Sequence, residues 1–292
     1  MNVALIVLAS IFALCLFKNN KYNKKSQVQI TRKRVDKLPF FGFSIIGLFY
    51  NLIVVFKGYM VPLFKIREAI VKAGYRLFLQ GMLPGGDGNI SVRVEESVFA
   101  ITPSLVSKGF LAPADILLIS ASGKVLDGTG KPTTELPLHL TVYEGRPDIN
   151  AVVHTHPPYV TAFSVAGKKL PPCVLPEIVV RVGSIVDVGY ATPSTDESAF
   201  AIKPYLEESD VFILKNHGLV AIGTSLEEAV NLTESVEHLA RVIFIANSLG
   251  EPEPIPQSKL EILMDMRKKF GKKRISIYSC EGCVLDKGGC ER

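Results

Sequence analysis

Apolar and polar positions along the chain follow two regimes, one on each side of residue 60. From residue 62 onward, short apolar runs alternate with polar turns. Residues 62–80 place Leu63, Ile66, Ile70, Ala73 and Leu77 at helical spacing, and Pro62 suits a helix start. After the turn GMLPGGDGN come three strand-like runs, at 90–94, 97–102 and 115–120, whose tight turns suggest antiparallel pairing. Residues 135–145 read as a helix, with Thr134 as N-cap and Pro137 in the first turn. INAVVHTH at 149–156 reads as a strand, VVRVGSIVDVGYA at 179–191 as β-rich, and 196–208 as a helix with Asp196 at its start. VFILKNHG at 211–218 is a strand ending in a turn, from which LVAI at 219–222 pairs back. Residues 225–250 form the longest helix, opened by a capping box of Ser225 and Glu228 and stopped at Gly250. A last helix covers KLEILMDMRKKFGKK. No repeat and no long linker divides residues 62–270, so the pattern predicts one α+β layered domain with helices covering a sheet.

Residues 1–60 behave differently. Residues 1–17 hold only Asn2 and Ser10 as clearly polar side chains, and 39–56 carry no charge. Between them lie eight Lys/Arg against Asp36. Two apolar runs around a basic loop read as a membrane-anchoring helical hairpin with its loop in the cytoplasm. Two readings compete: an over-called start with the true chain beginning at Met60, and a buried or interfacial segment. A secretory signal would carry its charge before the apolar run, not after it. A hairpin would put the body outside the cytoplasm and a single span would leave it inside. The expectation taken forward is a cytoplasmic body, membrane-associated through residues 1–60. The expected boundaries are 1–60 for this segment, 61–270 for the domain and 271–292 for a tail. Of the five cysteines, Cys280, Cys283 and Cys290 fall in that Gly-rich tail. One C-x2-C with a third cysteine could bind zinc or form a disulfide, but a plain tail is the preferred reading.

Composition narrows the classes. Of 292 residues 48% are hydrophobic, which excludes wholesale disorder. Residues 1–60 hold nine of the 33 Lys/Arg and one of the 28 Asp/Glu, so the rest is mildly acidic. That excludes nucleic-acid binding by the body, since a phosphate backbone needs a basic face.

Three of the five histidines fall at strand ends. His154 and His156, two apart on a strand, point to one face, and the following prolines end that strand. His217 closes a second strand at the turn through Gly218. Three neutral imidazoles leave a fourth position open on Zn2+, the arrangement of a catalytic site. His139 and His238 lie within helices without such partners and read as structural. Glu135 opens a helix, where a carboxylate can be a plain cap or a base near the metal. In GGDGNIS at 85–91, backbone N–H groups and Asn89 can hold a phosphate, and Thr133 and Thr134 at a helix N-terminus are a second anion contact.

GDGNISVR at 87–93, ITPS at 101–104, KPTTE at 131–135, AVVHTHPPY at 151–159 and KNHGLVA at 215–221 occur in an order that resembles the class II aldolase/adducin-head family, with L-fuculose-phosphate aldolase the nearest functional type. The resemblance covers about residues 62–255. It implies a three-layer α/β/α sandwich around a mainly antiparallel sheet, and a C4 homotetramer with sites at subunit contacts. It implies His154, His156 and His217 as metal ligands, with one Zn2+ or similar divalent ion per subunit. Glu135 matches the catalytic acid/base, which can also ligate the metal. Gly88, Asn89, Ser104, Thr133 and Thr134 match phosphate contacts. The implied reaction is cleavage of a ketose 1-phosphate, such as L-fuculose 1-phosphate, to dihydroxyacetone phosphate and an aldehyde through a metal-stabilised enediolate. Two departures stand out. Leu105 replaces a glycine, and the stretch LPPCVLPEIVV has Glu177 where the aldolase has a catalytic tyrosine. The alternatives are an epimerase, decarboxylase or dehydratase of the same family, and, third, a non-catalytic adducin-like scaffold.

Overall fold

The computed structural model describes residues 53–56 and 59–270, with side chains from Leu63 onward. A short antiparallel pair, β1 (Ile53–Phe56) and β2 (Tyr59–Pro62), leads into α1 (Leu63–Leu79). The last four residues of the second apolar run are thus strand, not helix. Residues 1–52, the tail from 271, and the anchor and cysteine readings placed on them lie outside the described residues. Among the described residues no helix is long and apolar enough to cross a membrane.

The body continues with β3 (Asn89–Glu95), β4 (Val98–Ile101), β5 (Leu117–Ser120), β6 (Val125–Asp127), α2 (Leu136–Gly145), β7 (Ala151–Thr155) and α3 (Pro158–Val165). After these come β8 (Val186–Val188), α4 (Asp196–Ile202), β9 (Val211–Leu214), β10 (Gly218–Gly223), α5 (Leu226–Leu249) and α6 (Gln257–Lys269). Eight strands form one sheet in the order β6-β5-β4-β3-β7-β10-β9-β8. Every pairing is antiparallel except the edge strand β8, which runs parallel to β9.

Alternation along the central strands builds two cores. Ala151 and Val153 of β7 pack with Ile70, Leu77 and Val230, which come from α1 and α5. Val152, between them, packs on the opposite face with Leu138, Val142 and Ile202 from α2 and α4. In the same way Leu219 and Ala221 face α5 while Val220 and Ile222 face α2. All residues of β7 and β10 are buried, as strands covered on both faces must be. The architecture is therefore three layers of helix, sheet and helix, as expected.

Three local expectations are corrected. Residues Ile178–Val182, β-rich by composition, form a single π-helical turn. The β-branched preference is overridden because Val179 packs with Leu260 of α6 and buried Arg267 donates to Val180 O at 3.0 Å. Buried Cys173 in the same cluster is disulfide-bonded. The helix expected over 196–208 ends at Ile202, and Pro204 follows within a 3-10 turn, Lys203–Tyr205. At α2 the cap position belongs to Glu135, without a side-chain cap bond, while Thr134 Oγ1 pairs with Ser194 Oγ at 2.7 Å. The α5 cap forms as expected at Ser225, which accepts from the Glu228 N–H, although the Glu228 carboxylate takes the Thr224 N–H instead.

Candidate metal centre and anion pocket

The register of three central strands assembles the site. Asn89 of β3 lies directly opposite His154 of β7, and His154 lies opposite Val220 of β10. His154 points toward the α2 layer, with the cap residue Glu135 above it. His156 stands just past the end of β7, its N–H bonded to Met82 O at 2.8 Å. His217 sits in the two-strand turn between β9 and β10, preceded by Asn216 with φ 58°. Close approach fixes the glycines here. A Cβ on Gly218 would lie 2.3 Å from Thr155 O and 2.8 Å from the His156 ring. A Cβ on Gly88, which has φ 67°, would lie 2.8 Å from His154 O.

The three imidazoles form a nearly regular triangle, with centroid separations of 4.7, 4.9 and 5.0 Å. One ring nitrogen from each lies within 4.8 Å of the others, and His154 Nε2 is 3.1 Å from His156 Nε2. His154 Nδ1 donates to Leu219 O at 3.0 Å, which fixes its tautomer and turns Nε2 inward. Glu135 Oε2 is 3.2 Å from His154 Nε2, and Oε1 is 3.6 Å from His217 Nε2.

The electrostatics call for one positive charge. Burial works to raise the Glu135 carboxyl, but His154 and the Asn89 hydrogen bond outweigh it and hold the group far below the usual carboxylate range. Burial works to lower His154, and the facing carboxylate overrides it and raises that ring. Burial and the neighbouring rings push His156 down to about 3 and His217 down to about 4, so both keep lone pairs at neutral pH. Buried Glu135 Oε1 meanwhile has no hydrogen-bond partner among the described residues. An acceptor without a donor, beside three converging imidazole nitrogens, suits a divalent cation of the zinc type.

A cavity of about 270 Å³ opens in front of the triangle. Glu135, His156 and His217 line it together with Gly88, Asn89, Ser104, Thr133 and Thr134, and His154 sits buried behind. The structure thus brings every residue of the expected site to one place. Its hydrogen bonds divide them, however. Both hydrogens of Asn89 Nδ2 are engaged, by Thr133 Oγ1 at 3.0 Å and Glu135 Oε2 at 2.8 Å. The Ser104 N–H is held by Lys131 O. Glu177, the residue in the tyrosine's stretch, is exposed, and among the described residues no tyrosine lines the cavity.

Sequence reasoning missed Lys108. It is buried, lines the cavity, and donates from Nζ to Gly86 O at 2.6 Å. Burial lowers its pKa to about 8 against the pull of Asp87 and Glu135. Nothing in SLVSKGF marks that lysine as inward-facing. Leu105 lines the cavity as well and keeps φ 59°, so the backbone shape survives the loss of glycine. Three non-glycine residues among those described have positive φ: Leu105 and Ser194 line the cavity, and Asn216 precedes His217. Strain of this kind persists where the surroundings enforce it, and it clusters at working sites.

Known proteins resemble this chain in sequence and fold. The model of the Class II Aldolase and Adducin N-terminal domain family matches residues 68–244. A 5-deoxy-D-ribulose 1-phosphate aldolase from Bacillus thuringiensis serovar kurstaki is 32% identical over 211 residues, covering 72% of this chain and 98% of that protein. A 3-oxo-tetronate 4-phosphate decarboxylase from Haemophilus influenzae is 31% identical over 182 residues, covering 61% of this chain and 86% of its own. A solved L-fuculose 1-phosphate aldolase structure superposes with a TM-score of 0.64 at 30% identity, covering 70% of this chain and 96% of that one. The chain belongs to the class II aldolase and adducin N-terminal domain family.

Proposed function

We propose that the protein is a zinc-dependent lyase that cleaves a ketose 1-phosphate, such as L-fuculose 1-phosphate, to dihydroxyacetone phosphate and an aldehyde. The observation that carries this reading is the buried, ionised Glu135 held against three converging imidazoles at the floor of a cavity. His154, His156 and His217 would hold one divalent cation per subunit, with Glu135 as a further ligand at rest. That cation supplies the positive charge that draws electron density toward the substrate carbonyl oxygen. Gly88, Ser104, Thr133 and Thr134 form the rim where the phosphate binds, the Lys108 ammonium adds the charge that favours an anion there, and Asn89 holds Glu135 beneath it. In cleavage the substrate hydroxyl loses its proton as the carbon–carbon bond breaks and the aldehyde forms. Glu135 takes up that proton and delivers it to the carbanionic carbon of the other fragment. Fixed phosphate contacts keep that carbon within reach of the carboxylate.

Two tests apply. Purified full-length protein is assayed against a panel of sugar phosphates with product identification, and dihydroxyacetone phosphate is the product expected. Elemental analysis of wild type and His154→Ala should show about one zinc per chain in the former and loss of metal with activity in the latter. A His154→Ala protein with full metal content would remove the site assignment.

The second reading keeps the site and changes the outcome to decarboxylation or epimerisation of a sugar phosphate or sugar acid. It is favoured by the departure in LPPCVLPEIVV, where Glu177 stands in the tyrosine's stretch. The same panel separates the two, because release of carbon dioxide or an inverted centre replaces the aldehyde. The assembly we propose is a homotetramer with its sites at subunit contacts, and the exposed Phe110 beside the pocket loop fits a covered face.

A further inference from the structure

Behind Glu135 runs a buried polar chain that reaches well past the cavity. Glu135, His139 and Tyr143 stand at i, i+4 and i+8, so they share one face of α2. Asn89 and Ser91, two apart on β3, share the face opposite. His139 Nε2 lies 2.5 Å from Asn89 Oδ1, His139 Nδ1 lies 2.7 Å from Ser91 Oγ, and Ser91 Oγ lies 2.8 Å from Tyr143 OH. All five of these side chains are buried.

The donors and acceptors can be assigned in only one direction. An ionised carboxylate only accepts, so the Asn89 amide nitrogen faces Glu135 and its oxygen faces away. That oxygen only accepts, so His139 Nε2 must carry its hydrogen. Burial pushes the His139 ring down to about 3 and keeps it neutral, so Nδ1 bears the lone pair. Ser91 therefore donates to Nδ1 and accepts from Tyr143. A core histidine that merely filled space would be satisfied in either tautomer, whereas here a single tautomer serves every partner. Thr133 and the carboxylate hold the amide nitrogen from one side, and the His139 donor holds its oxygen from the other. Without His139 the buried amide oxygen loses that donor in a dry site, where an unmet polar group is costly, and the orientation that donates to Glu135 is held from one side only.

We infer that His139 is a positioning residue, held as the Nε2–H tautomer, which fixes the Asn89 amide so that it donates to Glu135. The kinetic consequence rests on the proposed acid/base use of Glu135, but the tautomer does not.

The test uses full-length protein labelled with 15N-histidine at neutral pH, the His139 signal being assigned by its loss in His139→Gln. A protonated Nε2 with a bare Nδ1 is expected, and an Nδ1–H tautomer or an imidazolium overturns the inference. In the proposed assay, His139→Leu should lose about 10- to 100-fold in turnover, the range for removing such a supporting partner, with KM little changed and metal retained. His139→Gln, whose amide can donate to Asn89, should recover most of that loss. Wild-type turnover in folded, metal-loaded His139→Leu overturns the inference, as does a His139→Gln no better than the leucine variant. Should the leucine variant not fold, the spectrum and the glutamine variant decide. If the tautomer is as assigned but Glu135→Gln keeps full turnover, the acid/base reading fails and the positioning of Asn89 stands.

Discussion

At the scale of single residues, Glu135 occupies a cap position and does not cap. Its carboxylate turns from the helix toward His154 and Asn89. Glu135→Gln is isosteric, and the lost interaction with the helix dipole costs only about 0.3–1 kcal/mol. Turnover should fall by about 10²–10⁴, the usual share of general acid–base catalysis. Melting temperature, metal content and rate measured on one sample separate the outcomes, and near wild-type turnover at saturating zinc would leave the mechanism without its proton carrier. Lys108 gives a second test. Its pKa is depressed to about 8, so the ammonium is present below that pH and is lost as pH rises through it. KM for a phosphorylated substrate should therefore climb above about pH 8. Lys108→Met should show a raised KM below about pH 8, by about tenfold or more if a charged hydrogen bond worth about 1.5–3 kcal/mol is removed, and should approach the wild type above it. A wild-type KM in that variant would show that the lysine serves only the Gly86 carbonyl.

At the scale of elements, the turn that carries His217 depends on Gly218. Gly218→Ala places a methyl 2.3 Å from Thr155 O and 2.8 Å from the His156 ring, so β10 must shift away from β7. Overpacking of this kind costs about 1–3 kcal/mol. A calorimetric melt should fall accordingly and metal content should drop with it; a variant with both unchanged would mean that the strand pair yields without moving the rings. The same elements show what the sequence could reveal. The apolar runs at β3, β7 and β10 were legible because the central strands bury residues in two distinct cores, and H-x-H was legible because it sits at such a strand's end. Residues 178–182 were not, because their β-branched side chains answer to α6, about eighty residues later. Nor was the wiring of His139, since its 135–139–143 spacing in α2 does not say which strand it faces. Lys108 had no pattern at all. Its backbone is pressed against α1, where a Cβ on Gly74 would lie 2.8 Å from Lys108 O, and its side chain runs to Gly86 O in the cavity.

At the scale of the whole molecule, the described side chains from Leu63 onward supply two cores, one on each face of the sheet. A chain starting at Met60 should keep its circular dichroism and its activity, and an insoluble or unfolded product would show that the preceding residues are needed for folding. The opposition of Asn89 and His154 across β3 and β7 has a further consequence. A strand paired one residue out of register puts every side chain on the wrong face. A misregistered chain could still collapse into a compact form with much of its apolar surface covered. It would, however, send Asn89 toward α1 and α5 while His154 stayed beneath α2. Chemistry and correct pairing are then a single event, and the rate per folded chain measures how faithfully the sheet was assembled.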